Sequence, residues 1–575
     1  MAEKILSPGV FQNESDQSLV QRGIQGTSTA IVGPTVLGQP LVPTYVTSYS
    51  EFVSKFGETF KSGSYYYEYL TSLAAKDYFN NGGQTLLVTK VITSGSTNLA
   101  TYASSTVPAV MNVASSSFVL ETISWGDVMN NTSSMVSGAL ASGSAINVRW
   151  EVTSVLTGSG VFNLTVRAGN DNDAQKNYIE SWPNLSLDPA LPNYISRVIG
   201  DIKPVYRVDT DGAPYIDYTG SYANASQFIR VKSVTTPQVD SIDNNGNFKT
   251  GSYSGSLPAL GSGSYGGSFA GGVAATSIVQ LMNENITTSN VQGFAAADYQ
   301  VAFNLLANKD EYQFNVLLAP GVGLDNAASA TMISTCEGRG DAIAVVDTKV
   351  YGAVVSSAAS AAAGQSSNYA ATYWPWIQLY SSALGKAVWS PASTVMGGVF
   401  AFNDQVGAEW FAPAGLNRGG VPSVLKAERK LTQNDRDVLY TANVNPLATF
   451  PGEGVVVFGQ KTLQRKATAL DRVNVRRLLI ALKGYIGQVS NNLVFEQNTN
   501  VTRNRFLSQV NPYLESVVQR QGLYVYKVVM DETNNTADVI DRNQLVGQIY
   551  IQPTKTAEFI ILNYNIQPTG ATFPA

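Results

Sequence analysis

A chain of 575 residues carrying 37 basic and 42 acidic side chains, a net of −5, has length for about four structural units and too little overall charge to point to nucleic acid or a membrane surface. At 14% charged residues, against roughly 25% in ordinary soluble chains, its surface is polar mainly through Ser, Thr, Asn, Gln and Gly. Histidine is absent and Cys336 is the only cysteine, which excludes Ser-His and Cys-His nucleophilic pairs, histidine-ligated metals, thiolate clusters and intrachain disulfides.

The first segment, Ile5-Leu6-Ser7-Pro8-Gly9-Val10-Phe11, is short, apolar and strand-prone, and a polar stretch from Gln12 to Ser18 separates it from the rest of the chain. The segment lacks the charged-then-apolar pattern of a signal peptide, and no stretch approaches the length of a membrane helix, so assembly in a cytoplasm is expected. Residues 23 to 92 read as strand (Ala30-Ile31-Val32-Gly33), an aromatic helical pattern (Tyr65 to Phe79) and strand (Leu86-Leu87-Val88-Thr89), an α/β unit.

Two uncharged tracts, residues 91–120 and 250–283, bracket a middle rich in Ser, Gly and Thr. Alternating segments at Ala145 to Val152 and Val161 to Val166 mark it as β-rich. The α/β pattern resumes with an apolar run from Phe314 to Ala319, a helix capped by Asp325 and running to about Glu337, and a buried strand from Ala342 to Val346. One α/β domain interrupted by a β-rich insertion accounts for the matching flanks.

The last 125 residues hold 13 basic and 9 acidic side chains, +4 against −9 for the rest. Arg465 to Ile486 reads as a long helix: at 100° per residue, Leu470, Val473, Leu478, Leu482 and Tyr485 share one half of the wheel. Arg465, Arg472, Arg476 and Lys483 fall within about 40° of one another. This stripe is either a solvated face or a contact surface for an acidic partner. Strands come next at Leu523 to Met530, Val546 to Ile551 and Glu558 to Ile566, the last with Ile560, Leu562, Tyr564 and Ile566 on one side.

Motifs with chemical meaning dissolve in context. The glycine fingerprint Gly261-Ser262-Gly263-Ser264-Tyr265-Gly266 lacks the strand and helix that a phosphate cradle needs, and Gly454 to Thr462 is an apolar strand rather than an anion-binding loop. Asp171-Asn172-Asp173 has Lys176 and Trp182 where a calcium loop needs glycine and a carboxylate, and turn chemistry explains it better. Asp531, Glu532, Asp538 and Asp541 fit a hydrogen-bonded connection better than a cation site, and Arg339-Gly340-Asp341 reads as a helix-stopping turn. No cofactor or metal is expected. Strand-prone segments at both ends, with no evident place in their own domains, either pair within the subunit or are donated to neighbouring copies.

Several stretches together resemble the contractile phage tail sheath proteins, T-even-like ones in particular. They are Ser7-Pro8-Gly9-Val10 with Glu14 and Asp16, Ala30-Ile31-Val32-Gly33-Pro34-Thr35, Tyr49-Ser50-Glu51-Phe52 with Phe56-Gly57, and Asn184-Leu185-Ser186-Leu187-Asp188-Pro189. Asn193-Tyr194-Ile195, Val198-Ile199-Gly200-Asp201, Trp374-Pro375-Trp376, Trp410 to Gly415, Asp531 to Thr536 and Asp541-Arg542-Asn543 continue the likeness in order along the chain. The tracts near 95–145 and 245–285 carry least of it.

The resemblance implies an α/β plus β multidomain fold. An N-terminal arm (1–22) precedes a subtilisin-like α/β middle domain without catalytic residues (23–95 and 290–450), interrupted by inserted β-rich outer domain(s) (96–289). An α+β C-terminal core domain (451–575), with its own arm from about 556, completes it. It further implies stacked hexameric rings around a tail tube, baseplate and tail terminator proteins as partners, and terminal strands exchanged between copies: Ile5, Leu6, Val10 and Phe11 from one end, Ile560, Leu562, Tyr564 and Ile566 from the other. Contraction would drive the tube through a host envelope. The expected setting is a virion tail, with no nucleic-acid partner and no membrane insertion. Arg465, Arg472, Arg476 and Lys483 are the expected tube-facing residues. The rival readings are a sheath from a phage-derived secretion or bacteriocin device, a serine hydrolase, which missing histidine disfavours, and a secreted surface-layer or adhesin protein, which would need an export signal.

Overall fold

In a computed structural model of the chain, residues 28–62, 64–92, 102–110, 116–124, 126–131, 135–272 and 281–559 are described. Its largest sheet has eight strands. In spatial order they are Thr44–Val46, Thr85–Lys90, Ser28–Gly33, Val316–Gly323, Ile343–Asp347, Ala370–Trp374, Asn445–Phe450 and Gly454–Val457. Every inner pairing is parallel, and the two outermost are antiparallel.

The sequence dictates this by leaving no polar face. Along the 343–347 strand, Ala344 and Val346 enter one apolar cluster and Ile343 and Val345 the other; Leu317 and Leu318 divide in the same way. Period-two side chains buried on both sides require helices on both faces. Helices Ala296–Leu305 and Ala327–Arg339 supply Tyr299, Phe303, Met332 and Cys336 to one cluster, and helix Ser393–Val406 supplies Val395, Met396, Val399 and Phe400 to the other. Because Thr29 pairs with Val316, the sheet is built from both flanks of the insertion. Cys336 is fully buried among apolar neighbours.

Three expectations are corrected. The aromatic stretch from Tyr65 begins as strand Tyr65–Glu68, paired with Thr59–Ser62, and only then becomes helix Leu70–Asn80. Aromatic residues suit both periods, and buried Glu68 sits at the change, its carboxylate accepting from Ser72 and Ser381. Asn326, not Asp325, caps the helix Ala327–Arg339 through its side chain, while Asp325 pairs with Lys349 at 3.0 Å. The expected helix from Arg465 begins only at Val473 and runs to Asn491. Gly340, at φ +72°, ends the 327–339 helix as the Arg-Gly-Asp stretch suggests.

The insertion is β-rich where described. Strands Val148–Leu156, Val161–Ala168 and Tyr178–Leu185 form one sheet and Ser104–Pro108, Ser116–Thr122 and Ile229–Val234 another, sharing a core around Trp150, Phe118 and Phe162. Arg149 lies directly opposite Arg167 in the ladder, and both are fully buried. Like charges in register repel, so carboxylates must intervene. Asp171 accepts from both guanidinium groups, at 3.2 Å from Arg149 and 2.7 Å from Arg167, and Glu151 joins Arg167 to Lys176. Asn172 does accept from Ala174 and Gln175 as a turn residue, but Asp171 and Asp173 serve the arginines.

Candidate assembly surface on the C-terminal domain

Helices Val473–Asn491 and Asn500–Gln519 pack with a two-stranded antiparallel ladder, Leu523–Val529 against Gln548–Pro553. Their core gathers Leu478, Leu482, Phe506, Val510, Leu514 and Val517, and borrows Ala408 and Trp410 from the chain before it. Among the described residues the ladder has no third strand. Both outer edges therefore present backbone groups without strand partners, flanked by exposed Tyr524, Val525 and Tyr550. A two-stranded ribbon is marginal alone and a ready template for a further strand.

The hairpin connection is closed by side chains. Asp531 accepts from the Thr533 backbone at 2.8 Å, and buried Asn535 bonds the backbone of Asp531 and Val546. Among the described residues no group of three His, Cys, Asp or Glu is placed to hold a metal ion, and no helix is long and apolar enough to cross a membrane.

The four basic residues do not form one exposed stripe. Arg465, ahead of the helix, donates to the carbonyls of Ala362 and Gln365 at 3.0 and 3.2 Å. Arg476, 3% exposed, lies 4.0 Å over the Tyr369 ring and donates to Asn368. Lys483 is exposed, with the Tyr369 hydroxyl 3.2 Å away. Arg472 is the helix N-cap residue and grips Glu558 through two bonds of 2.7 and 2.9 Å. Wheel spacing aligned them, but partners about a hundred residues distant in sequence turn all four onto the α/β domain or the C-terminal segment.

Glu558 is the site residue that sequence reasoning missed. Expected as the start of a strand, it lies outside any strand, as does Phe559. Besides Arg472, the Tyr440 hydroxyl (2.7 Å) and the Gln460 amide (3.0 Å) donate to its carboxylate. Burial pushes the carboxyl upward most strongly, yet the hydrogen bonds from Arg472, Tyr440 and Gln460 outweigh it and hold the group below its ordinary range. Charge complementarity with Arg472 was the available signal. Ile5, Leu6, Val10, Phe11, Ile560, Leu562, Tyr564 and Ile566 lie outside the described residues.

In the α/β domain, Asp347 at a strand end accepts from Ser393 Oγ (2.7 Å), Ser393 N (2.9 Å) and Gly321 N (2.8 Å). Burial pushes its carboxyl up to about 6, against these bonds. Both side chains are closed off, at 3% and 0% exposure.

Residues 292–463 match the phage tail sheath protein central domain, and residues 465–567 the phage tail sheath C-terminal domain. Over 185 residues, 32% of this chain and 28% of the relative, the chain is 41% identical to a tail sheath protein of Vibrio phage KVP40. Over the same share of each it is 40% identical to the tail sheath protein of Enterobacteria phage T4. The matched stretch thus spans under a third of these curated relatives. The crystal structure of a sheath tail protein from Listeria innocua is alike in fold, at TM-score 0.53 and 11% identity over 92% of this chain and 95% of that one. With the two sheath domains matched in order along its second half and tail sheath proteins among the relatives it resembles, the chain is similar to the phage tail sheath proteins.

Proposed function

We propose that the chain is the structural subunit of a contractile tail sheath, polymerising as stacked hexameric rings around a tail tube. The sheath is anchored on a baseplate, closed by a terminator, and contracts to drive the tube through a host envelope during genome delivery. The observation that carries this reading is the ladder 523–529/548–553 with both edges unfilled among the described residues. Strands donated by neighbours, Ile5 to Phe11 from one copy and Ile560 to Ile566 from another, would complete the sheet and tie copies into a mesh. The curated relatives are virus tail proteins, which favours a virion over a secretion or bacteriocin device.

On this reading the α/β domain is a subtilisin-like scaffold without its chemistry, since no histidine exists to activate a serine. The energy of contraction is stored at assembly in a metastable extended form, and no nucleotide site is needed. Of the four basic residues, Arg465 and Lys483 are exposed enough to face the tube. Exposed ion pairs of about 0 to 1 kcal/mol suit a contact that must slide.

Deleting residues 1–18 should leave a folded subunit that no longer forms striated tubes in negative-stain micrographs. Normal tubes from that variant would end the strand-donation account.

A further inference from the structure

The last described residues of the C-terminal segment, 554–559, are held to the subunit by polar side chains. Among the described residues, 554–559 have no strand partner. Thr554 still bonds the carbonyl of Gln521 at 2.7 Å, but Lys555, Thr556 and Ala557 are exposed. They pass between two cavities of about 540 and 700 Å³, one beside residues 467–475 and the other beside Trp410, Phe411 and Val518. Little apolar burial holds this strap down.

Side chains hold it instead. Gln460, 3% exposed, donates to Thr556 Oγ1 at 2.6 Å and to Glu558 Oε1 at 3.0 Å. Arg472 takes both Glu558 oxygens, Tyr440 donates to Oε2, and Asp471 steadies the far side of the guanidinium at 3.0 Å. Lys461 lies 4.2 Å over the Tyr440 ring and donates to its carbonyl at 2.8 Å. Partners from three separate segments thus converge on one carboxylate. The next residue, Phe559, is 78% exposed, so Glu558 carries the last of these polar contacts among the described residues.

We infer that the Glu558 clasp on Arg472, Tyr440 and Gln460 is the fixed root from which the C-terminal arm reaches a neighbouring copy, making Glu558 a positioning residue for subunit linkage. The inference rests on the strand-exchange reading of the sheath. A root free to swivel adds backbone freedom, which every association must then remove. An anchored root has lost that freedom on folding, and each neighbour meets an arm already aimed.

The test uses the full chain and reads the critical concentration for tube formation by sedimentation and negative-stain microscopy, with circular dichroism and Tm as folding controls. Glu558→Arg and Arg472→Glu should each raise it about tenfold, the effect of about 1.4 kcal/mol on an equilibrium, and the double exchange should restore most of the loss. Glu558→Gln, which keeps the side chain's shape, should give a smaller rise and covers the case in which Glu558→Arg fails to fold. Deletion of 560–575 separates the two ideas. If the deleted chain polymerises at the original concentration, the strand-exchange reading fails and this inference falls with it. If deletion abolishes tubes while Glu558→Arg or Glu558→Gln polymerises as the original chain does, or the double exchange is no better than either single one, the clasp is overturned and strand exchange stands.

Discussion

Replacing Arg477 by alanine should loosen the C-terminal domain from the α/β domain. Arg477 projects from helix Val473–Asn491 and meets Asp404 of helix Ser393–Val406 in a two-pronged pair of 2.8 and 2.5 Å, with its guanidinium 4.7 Å over the Phe400 ring. Its side chain is 3% exposed and that of Asp404 12%. Two unit charges about 4 Å apart attract by about 4 kcal/mol at an effective dielectric of about 20. Burial offsets part of that, but deleting one partner strands the other, which costs about 3 to 5 kcal/mol in buried pairs. The partly exposed rim at Asp404 argues for the low end, about 3 kcal/mol.

A chain of several domains does not unfold as one unit, so hydrogen exchange along residues 473–491 is the suitable readout. Its protection should fall about a hundredfold, the equivalent of about 3 kcal/mol. Arg477→Ala, Asp404→Ala and their combination close a cycle whose coupling should be about 2 kcal/mol. Additive single effects, or exchange accelerated less than tenfold, would show that Val473 and Ile480 against the core around Phe400 hold the junction without the ion pair.

Tyr524→Lys with Tyr550→Lys, both on exposed positions of the ladder, should leave monomer stability within about 0.5 kcal/mol while sharply raising the concentration needed for tubes; an unchanged threshold would place the inter-subunit contact elsewhere. Arg465→Glu with Lys483→Glu should impair assembly on a purified tail tube more than self-polymerisation, and equal loss in both assays would count against a tube contact. Burial lifts the Asp77 carboxyl to about 7, well above its unfolded value, with Ser423 and Asn81 opposing. A carboxyl raised on folding contributes stability at low pH that is lost as pH rises to its folded value, here on the order of 4 kcal/mol between about pH 4 and 7. Asp77→Asn should therefore raise Tm at pH 8 and bring less gain at pH 5. Asp347, lifted in the same way to about 6, keeps some slope in the variant below that pH. A lower Tm at pH 8 would refute the assignment.

The sheet was the most legible part of this chain because its signal is local. Ile343 to Val346 are apolar at each position and buried on both faces, so four consecutive letters establish both the strand and the helices that must cover it. Tyr65 to Glu68 misled because aromatic residues fit strand and helix alike. Arg149 takes a polar place in the alternating segment Ala145 to Val152, yet it is buried, since Asp171 supplies its countercharge from a turn that no period reaches. The same limit governed the basic residues. A helical wheel assigns an angle to Arg476, but whether that angle faces water depends on Tyr369 and Asn368, which belong to another domain. Long-range polar partners leave no periodic trace, and the contacts of Arg465, Arg472 and Arg476 are built from them.

The absent histidine and the low charge lead to the same physical conclusion. In the α/β domain a serine and an aspartate do meet, but Ser393 spends both its hydroxyl and its backbone N–H on Asp347, and Gly321 contributes a third donor. A buried carboxylate at the start of a helix, bonded in this way, fixes two strands and a helix to one another. The pair is closed to substrate, so its value to the molecule is rigidity. On the proposed reading, rigid bodies linked by donated strands are what a polymer needs if its subunits are to change neighbours without unfolding. Charge then belongs at the few places where segments must be aimed. Arg477 with Asp404 sets the junction between domains, and Arg472 with Glu558 sets the root of the arm. Elsewhere a surface of Ser, Thr, Asn and Gly can be covered by copies of itself without stranding ions, as depletion of charge in interface cores requires.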